Sequence, residues 1–503
     1  MDKIIEHAIT ITEKETITFL TIDVPGEKIN TLTTPVMKEL SQTLTDLSEK
    51  SLNALVIQSA KPNIFIAGAD INEIKDITDP DDAFNKARNG QAVLDQLAAL
   101  PFPTIAAIQG ACLGGGCELA LACDYRIASD STATLIGLPE VNLGIIPGFG
   151  GTQRLPKLIG LQRALPLILQ GKPVSAKKAY RLKLIDDYGS EPFFDIHVNE
   201  FIQRILDPVQ AAAIRKKRHS KGFLNRLLEQ TIVGQSLIFS RAKKTVIKAT
   251  KGQYPAPLTA LKAVKYGRIR SLKKGQLKEA KLFSTLAITP LSKHLIQLFF
   301  TNEFLKKYKG GVDDHINATP IQTMSVRRAG VLGAGLMGGG IAWLLSSKDI
   351  DVRLKDIQWD AITQGYNAAK KGYDRLVKRR RLTPQKRDQK MLKISSGLDY
   401  TGFNKTDVVI EAIVEDIGVK KSVFKELENQ VSNTTIIATN TSALSVTEMA
   451  EDLTHPERFI GMHFFSPVNR MPLVEIIPGE KTSPESIKTV VMLAKQLKKT
   501  PIV

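Results

Sequence analysis

Two glycine-rich turns, each set between an apolar strand and a helix, constrain the fold of this chain more than any other feature. The first turn, at residues 114–116, follows a strand predicted at 104–109 that runs straight into it, and precedes a helix predicted from about Cys117. Strands that alternate with helices in this way build the sheets of α/β proteins. The sequence therefore predicts an α/β fold around the first turn.

The second turn, at residues 333–338, has the pattern G-x-G-x-x-G. It follows a strand predicted at 329–332, opens a helix predicted at 338–346 and leads to another strand at 350–354. Together these elements form a βαβ unit, the context in which such a loop binds a dinucleotide at the N-terminus of the helix. The second turn therefore predicts a Rossmann-type fold.

Three glycines and one acid of this unit carry the prediction of a cofactor site: Gly333, Gly335, Gly338 and Asp356. Glycines let the backbone approach a pyrophosphate, and an acid at the end of the second strand binds the ribose hydroxyls. Because an acid repels a 2′-phosphate, NAD is favoured over NADP, while the neighbouring Lys355 keeps NADP open.

The length of 503 residues exceeds what one ordinary core supports and predicts roughly two to four domains. Strands alternate with helices over residues 1–190, and a helical, basic pattern follows over 191–322. We expect the latter to close the first domain and join it to an NAD-binding domain at 323–503. The breaker-rich stretch 310–320 is the predicted linker.

The net charge of +18 is compatible with nucleic acid, an acidic membrane surface or a phosphorylated ligand such as an acyl-CoA. The densest basic runs, 215–218 and 378–381, are interpreted mainly as solvated helix faces, and no nucleic-acid-binding motif accompanies them. No apolar stretch approaches the ~20 residues that span a bilayer, so no membrane span is expected.

The start of the chain lacks the features of a signal peptide, which predicts a cytoplasmic protein. Cys112, Cys117 and Cys123 are the three cysteines of the chain. Their apolar neighbours indicate reduced core thiols rather than a disulfide framework, a catalytic group or metal ligands. No metal is expected.

The first turn is suited to chemistry on a carbonyl compound. Glycines at a helix start leave amide N–H groups without intrahelical acceptors, and such donors stabilise an oxyanion. A second small-residue turn at 66–70 offers further donors, and Glu118 and Glu140 provide two carboxylates in unlike settings. One acid then takes a proton from water while the other delivers one. The motif alone also fits a close-packed turn with a first-turn acid.

Four segments resemble the crotonase (enoyl-CoA hydratase/isomerase) superfamily in order and spacing: residues 65–71, 110–120, 137–140 and 147–152. The resemblance implies a ββα spiral fold and an oxyanion hole formed by the amides of Ala69 and Gly115. It also implies that Glu118 and Glu140 are the catalytic acids that add water to a trans-2-enoyl-CoA, with CoA as part of the substrate. Glu140 also suits double-bond isomerisation.

A second pair of residues predicts a general base. Glu475 interrupts the apolar run 472–477, and an acid in a strand that otherwise looks buried needs a partner. His463 is one candidate, because a histidine oriented by a carboxylate is a good base near neutral pH. Without further context, His463 also fits a core histidine with satisfied hydrogen bonds.

Four segments of the second half are similar to the NAD-binding domain of 3-hydroxyacyl-CoA dehydrogenases: residues 331–342, 411–415, 439–442 and 463–467. The resemblance implies that His463 takes the 3-hydroxyl proton, that Glu475 orients it and that hydride passes to NAD. It further implies a set of cofactor contacts: Met337, Asp356, Ile413, Val414, Glu415, Lys420, Ser442 and Ser466. The family often has Asn where this chain has Ser466.

Both resemblances occur in this order in the α-subunits of bacterial fatty acid β-oxidation complexes, where the product of the first site is the substrate of the second. The family's usual partner, a thiolase β-subunit, is expected by resemblance. Dehydrogenases of this family continue into a helical domain after the point where this chain stops, so impaired NADH formation is expected. A non-catalytic acyl-CoA or NAD binder, a thiolase scaffold and a nucleic-acid-associated relative are the alternatives.

Overall fold

The computed structural model describes residues 7–14, 17–219, 229–308 and 323–503. The chain divides into two compact units, Met1–Phe299 and Phe300–Val503. This division lies inside the helix Pro290–Lys307, before the boundary predicted at 322. The predicted linker at 310–320 lies outside the described residues, and the domain limits stay a prediction.

The described strands of the first unit form two sheets. They are β1 Ile9–Lys14, β2 Ile17–Ile22, β3 Ala54–Ser59, β4 Ile64–Ile66, β5 Thr104–Ile108, β6 Ala111–Leu113, β7 Tyr125–Ser129, β8 Leu135–Gly137, β9 Val174–Ser175 and β10 Asp187–Gly189. The larger sheet has the order β1-β2-β3-β5-β7-β10 and is parallel except between β1 and β2; the smaller has the order β4-β6-β8-β9. Each repeat of the chain adds one strand to each sheet before a helix, which is the predicted ββα spiral.

Helices cover these sheets. Their bounds are Thr34–Ser48, Ile71–Asp76, Pro80–Ala98, Gly115–Ala122, Gly151–Ile159, Leu161–Gln170, Ala176–Leu182, Phe194–Leu206, Pro208–His219, Ile232–Thr250, Pro255–Arg268, Leu272–Ala287 and Pro290–Lys307, with short 3₁₀ helices at Glu140–Leu143 and Glu191–Phe193. The first helix buries apolar side chains at helical spacing: Val36, Leu40, Leu44 and Leu47. One core extends from the spiral strands to Phe283 of a late helix, so late helices pack on the first unit.

Two local predictions for the first unit were wrong. The strand Thr104–Ile108 does not run straight into the glycines, since the short strand Ala111–Leu113 of the other sheet intervenes. The following helix begins at Gly115 rather than at Cys117, because Gly114 ends the extended chain with a φ of 51° that favours glycine.

The second unit contains one eight-stranded sheet. Its strands are β11 Arg328–Leu332, β12 Asp351–Lys355, β13 Ile394–Gly397, β14 Val408–Glu411, β15 Ile436–Thr439, β16 Phe459–Phe464, β17 Leu473–Pro478 and β18 Thr500–Ile502, in the order β13-β12-β11-β14-β15-β16-β17-β18. The strand β11 pairs in parallel with β12 on one side and β14 on the other. The strand order therefore reverses at β11, which is where doubly wound folds bind dinucleotides.

Helices flank this sheet at Leu336–Ser347, Trp359–Lys378, Pro384–Met391, Ile417–Glu428, Val446–Ala450 and Pro484–Gln496, with 3₁₀ helices at Phe403–Lys405 and Pro456–Arg458. Separate apolar clusters pack on the two faces of the sheet. The predicted Rossmann-type fold is confirmed. Within the described residues of both units, no helix combines the length and the apolar character that crossing a membrane requires.

Candidate active sites

The first site surrounds a largely apolar cavity of about 510 Å³ in the first unit. The predicted site residues meet on its wall: Gly68, Ala69, Gly114, Gly115, Glu118 and Glu140. The glycine turn, the small-residue turn and both acids are therefore brought together from four places in the chain. Apolar side chains such as Met37, Ile74 and Phe283 form much of the remaining wall, which suits an acyl chain.

The two predicted oxyanion donors lie side by side. A Cβ built on Gly115 would be 3.2 Å from the Ala69 N atom, so a side chain there would crowd the Ala69 amide. Neither N–H is paired with a protein acceptor in the part of the chain that the structure describes. For Gly115 this follows from its place in the first turn of the helix. Two free amides beside a cavity provide the geometry of an oxyanion hole.

Glu118 is held rigidly beneath the cavity. Its side chain is buried, and its Oε1 accepts hydrogen bonds from the N–H groups of Phe149 at 2.8 Å and Gly151 at 2.6 Å. Burial raises the pKa of Glu118 well above its ordinary value, and the charges of Glu140 and Glu279 raise it further against the opposing effect of the two amides. Burial therefore favours the neutral form of Glu118 relative to that of an exposed glutamate.

Glu140 faces the cavity without a partner. It begins the 3₁₀ helix Glu140–Leu143, and both carboxyl oxygens are buried with no hydrogen bond among the described residues. Burial raises the pKa of Glu140 to about 8. Its Oε1 lies 3.2 Å from the position that a Cβ on Gly114 would occupy. A buried acid with no protein partner is available for water or substrate.

The second site begins at the glycine loop of the second unit. Gly333 has a φ of 89°, and a Cβ on Gly338 would be 1.7 Å from the Gly333 carbonyl oxygen. A Cβ on Gly335 would meet nothing within 4 Å, so this glycine opens a space directly at the N-terminus of the helix Leu336–Ser347. This open space fits a pyrophosphate.

Asp356 stabilises the same loop. Its Oδ2 accepts a hydrogen bond from the Ala334 N–H at 2.7 Å, and its Oδ1 accepts one from the Ile357 N–H at 2.7 Å. The carboxylate thus stands at the end of β12 beside the loop, which is the predicted place of a ribose acceptor. Three apolar side chains of this unit are exposed: Leu336, Ile357 and the predicted cofactor contact Val414.

Most of the remaining predicted cofactor contacts follow the ends of β14, β15 and β16, whereas Met337 lies in the helix Leu336–Ser347. Ile413 is partly buried and Met337 packs on the core, whereas Ser442 and Ser466 are exposed. The Ser442 N–H donates to Glu415 Oε1 at 2.9 Å. Although partial burial acts to raise the pKa of Glu415, hydrogen bonds from Thr441 and Ser442 and the charge of Lys420 lower it to about 2.

Lys420, one of the predicted cofactor contacts, is buried rather than exposed at the surface. Its side chain is 1% exposed, and its Nζ lies 2.6 Å from Glu411 Oε1 and 3.2 Å from Glu415 Oε2. Glu411 is fully buried and also accepts from the Thr439 hydroxyl at 2.6 Å. Because its ammonium group is enclosed by two carboxylates, Lys420 holds Glu415 in place rather than extending into solvent.

His463 and Glu475 form the predicted dyad. They are direct partners across the antiparallel strands β16 and β17, and His463 Nδ1 lies 2.8 Å from Glu475 Oε2. The expectation of a buried strand around Glu475 was wrong, since its side chain is 44% exposed, and β17 has only one buried face in this part of the chain. The carboxylate fixes one ring nitrogen and leaves Nε2 for a substrate.

Comparisons with known proteins agree with this geometry. Residues 12–254 match the family model described as enoyl-CoA hydratase/isomerase, and residues 328–503 match 3-hydroxyacyl-CoA dehydrogenase, NAD binding domain. A fatty acid oxidation complex subunit alpha of Vibrio parahaemolyticus is 41% identical over 493 residues, 98% of this chain and 68% of that protein. The chain belongs to the fatty acid oxidation complex α-subunit family.

Two further members show the same extent of similarity. The fatty acid oxidation complex subunit alpha of Aliivibrio fischeri is 43% identical over 98% of this chain and 69% of its own length. That of Idiomarina loihiensis is 42% identical over 96% of this chain and 67% of its own length. The predicted hydratase and NAD-dependent dehydrogenase halves of an α-subunit are thus confirmed.

Two buried acids near the sites, Glu279 and Glu411, were not predicted from the sequence. Glu279 lies under the turn that binds Glu118, and Glu411 lies beneath Glu415. Both had a signal. Glu279 falls on the helix face that also carries the buried Ala280 and Phe283, and Glu411 ends an apolar strand, the same pattern that identified Glu475.

Proposed function

We propose that Glu118 and Glu140, with the amides of Ala69 and Gly115, hydrate trans-2-enoyl-CoA to 3-hydroxyacyl-CoA, and that His463 and Glu475 serve its NAD-dependent oxidation to 3-oxoacyl-CoA. The observation that carries the proposal is the meeting of two free amides and two buried acids on one apolar cavity. The membership in the α-subunit family supports the order of the two steps.

Hydration follows from the arrangement of these groups. The thioester oxygen accepts from the N–H groups of Ala69 and Gly115, which stabilise the negative charge that develops there. One of the two glutamates takes a proton from water as its oxygen bonds to C3 and the electron pair moves onto the thioester oxygen. The other glutamate returns a proton to C2 as the enolate collapses.

The shared environment of the two glutamates suits this exchange. Burial raises the pKa of both carboxyl groups, and the charge of Glu140 raises that of Glu118 further. Neighbouring acids ionise one after the other, because the negative charge of the first raises the pKa of the second. The singly ionised pair contains one base and one acid, and this is the state that hydration requires.

At the second site, Glu475 keeps His463 Nδ1 engaged at 2.8 Å, so Nε2 is the atom that takes the proton of the 3-hydroxyl group. NAD, when bound, supplies the hydride acceptor. The residues that would hold it are the glycine loop, Asp356 and Glu415. Their fit rests on the open space at Gly335 and on the carboxylate held beside the loop.

Hydration is tested by giving the chain trans-2-enoyl-CoA and following the loss of enoyl-thioester absorbance. We expect rapid hydration by the unsubstituted chain and a loss of about 10²- to 10⁴-fold in Glu118→Gln. Glu13→Gln serves as control, because Glu13 forms an exposed ion pair with Lys50 in the same unit. Binding of acyl-CoA without hydration would support the non-catalytic alternative and refute the proposed hydratase activity.

We further propose a thiolase β-subunit as partner and a cytoplasmic location. A thiolase would consume the 3-oxoacyl-CoA product, and the relatives are named as subunits of a complex. The buried free thiols of Cys112, Cys117 and Cys123 suit a reducing compartment. Co-purification with a thiolase from cytoplasmic extract supports both points, and recovery of the chain alone in a membrane fraction contradicts them.

A further inference from the structure

The turn that binds Glu118 has a second carboxylate on its other side. The amides of Phe149 and Gly151 donate to Glu118, whereas the amides of Gly150 and Thr152 donate to Glu279 Oε1 at 2.6 Å and Oε2 at 2.9 Å. The Thr152 hydroxyl also donates to Glu279 Oε2. Four successive N–H groups are thus divided alternately between two buried carboxylates.

Glu279 is itself firmly placed. It lies on the helix Leu272–Ala287, outside the spiral that carries the two catalytic acids, and is fully buried. Gln91 Nε2 donates to Glu279 Oε1 at 3.0 Å and to the Gly148 carbonyl at 2.9 Å, which ties the same turn to the helix Pro80–Ala98. The carboxylate is therefore anchored from a third element.

Two glycines make the shape of the turn sensitive to the side chains beneath it. Gly150 has a φ of 107°, and a Cβ there would meet Arg154, while a Cβ on Gly151 would be 2.8 Å from Glu118 Oε1. Arg154 holds the Phe149 carbonyl at 3.0 Å and pairs with Asp95. The backbone orientation of residues 149–152 thus depends on acceptors that lie beneath it.

We propose that Glu279 is a positioning residue for hydration, which acts by holding the turn 149–152 so that its alternate amides fix Glu118. This inference rests on the proposed function of Glu118. Glu279 has no place on the cavity wall, so it acts on the reaction from behind the turn, by holding the turn and by the charge that raises the pKa of Glu118. A glutamine there presents an NH₂ group to a backbone N–H in place of an acceptor, and the turn must shift.

The kinetic test is a double-mutant cycle of Glu118→Gln and Glu279→Gln with trans-2-enoyl-CoA. Glu279→Gln is expected to lower kcat about 10- to 100-fold with KM changed less than about twofold, since a small displacement of a catalytic group costs rate more than binding. In the Glu118→Gln background the same change is expected to cost less than about threefold. Equal losses in both backgrounds would overturn the proposal, as would unchanged kcat.

A measurement without activity separates this inference from the proposed function. Hydrogen exchange of the 149–152 amides is expected to accelerate at least about tenfold in Glu279→Gln, because glutamine has one side-chain oxygen and so leaves either Gly150 or Thr152 without an acceptor. The matched control is Glu229→Gln, a buried acid that accepts from the Gln162 amide in the same unit. Unchanged exchange refutes the positioning role, whereas absent hydration by the unsubstituted chain refutes only the proposed function.

A conservative variant covers the case in which Glu279→Gln does not fold. Thr152→Val keeps the side-chain shape and removes the hydroxyl, which donates to Glu279 and accepts from Gln153 Nε2. It is expected to lower kcat about two- to tenfold and to accelerate exchange in the same turn. Normal kcat and normal exchange in this folded variant would overturn the proposal.

Discussion

Removing the Lys420 ammonium group would leave a charge inside the second unit. Lys420 and Glu411 are 1% and 0% exposed, and their charged atoms are 2.6 Å apart. In Lys420→Met, the Glu411 carboxylate keeps only two neutral donors, the Ile413 N–H at 2.7 Å and the Thr439 hydroxyl at 2.6 Å. The buried negative charge of Glu411 then has no cation to compensate it.

The size of the effect follows from this burial. Breaking a buried ion pair by removing one partner costs about 3–5 kcal/mol. For a unit of this size, 1 kcal/mol shifts the Tm by about 2–4 °C, so a decrease of roughly 6–20 °C is expected. Glu411→Gln combined with Lys420→Met should recover most of the loss, because no charge then remains buried.

The assay follows tryptophan fluorescence during thermal and denaturant unfolding. Both tryptophans of the chain, Trp343 and Trp359, lie in the second unit and report on it alone. Lys421→Met is the matched control, since Lys421 makes only longer ion pairs to half-exposed acids and should cost at most about 1 kcal/mol. Equal stability of the Lys420 and Lys421 variants would refute the reasoning.

Three other substitutions test the sites. Because burial raises the pKa of Glu140 to about 8, the native state keeps a proton that the unfolded chain releases above about pH 4.3. The unfolding free energy should therefore fall as the pH rises from about 4.3 to about 8. Glu140→Gln should reduce the steepness of this fall by up to about 1.4 kcal/mol per pH unit, measured by denaturant titrations at several pH values. An unchanged pH dependence would contradict the raised pKa of Glu140. Asp356→Asn should weaken NADH binding about tenfold in fluorescence titrations, because a charged acceptor is lost; equal affinity argues against a ribose contact. Gly90→Ala places a Cβ 2.3 Å from the Phe149 ring and should lower hydration kcat about tenfold through the amide that binds Glu118; full activity would show that the ring moves freely.

The local features of both sites were predictable from the sequence. Glycine readily adopts the positive φ of 51° at Gly114 and of 89° at Gly333. The residue types therefore predict where each strand ends in a turn and where the next helix begins. The same holds for Asp356, which follows its strand directly. The family resemblance, which needs only the sequence, implies the roles of Glu118, Glu140 and the His463–Glu475 dyad.

Burial and pairing depend on the tertiary structure, because they are set by residues distant in the chain. Glu279 reaches the Glu118 turn from a late helix, and Lys420 is enclosed by two acids rather than exposed to a cofactor. The exposure of the Glu475 side chain likewise depends on packing, because few neighbours cover that face of the sheet. The sequence by itself determined the fold, the turns and the catalytic residue types. The tertiary structure decided which carboxylates are buried and what holds them, since desolvation arises only when distant segments pack together.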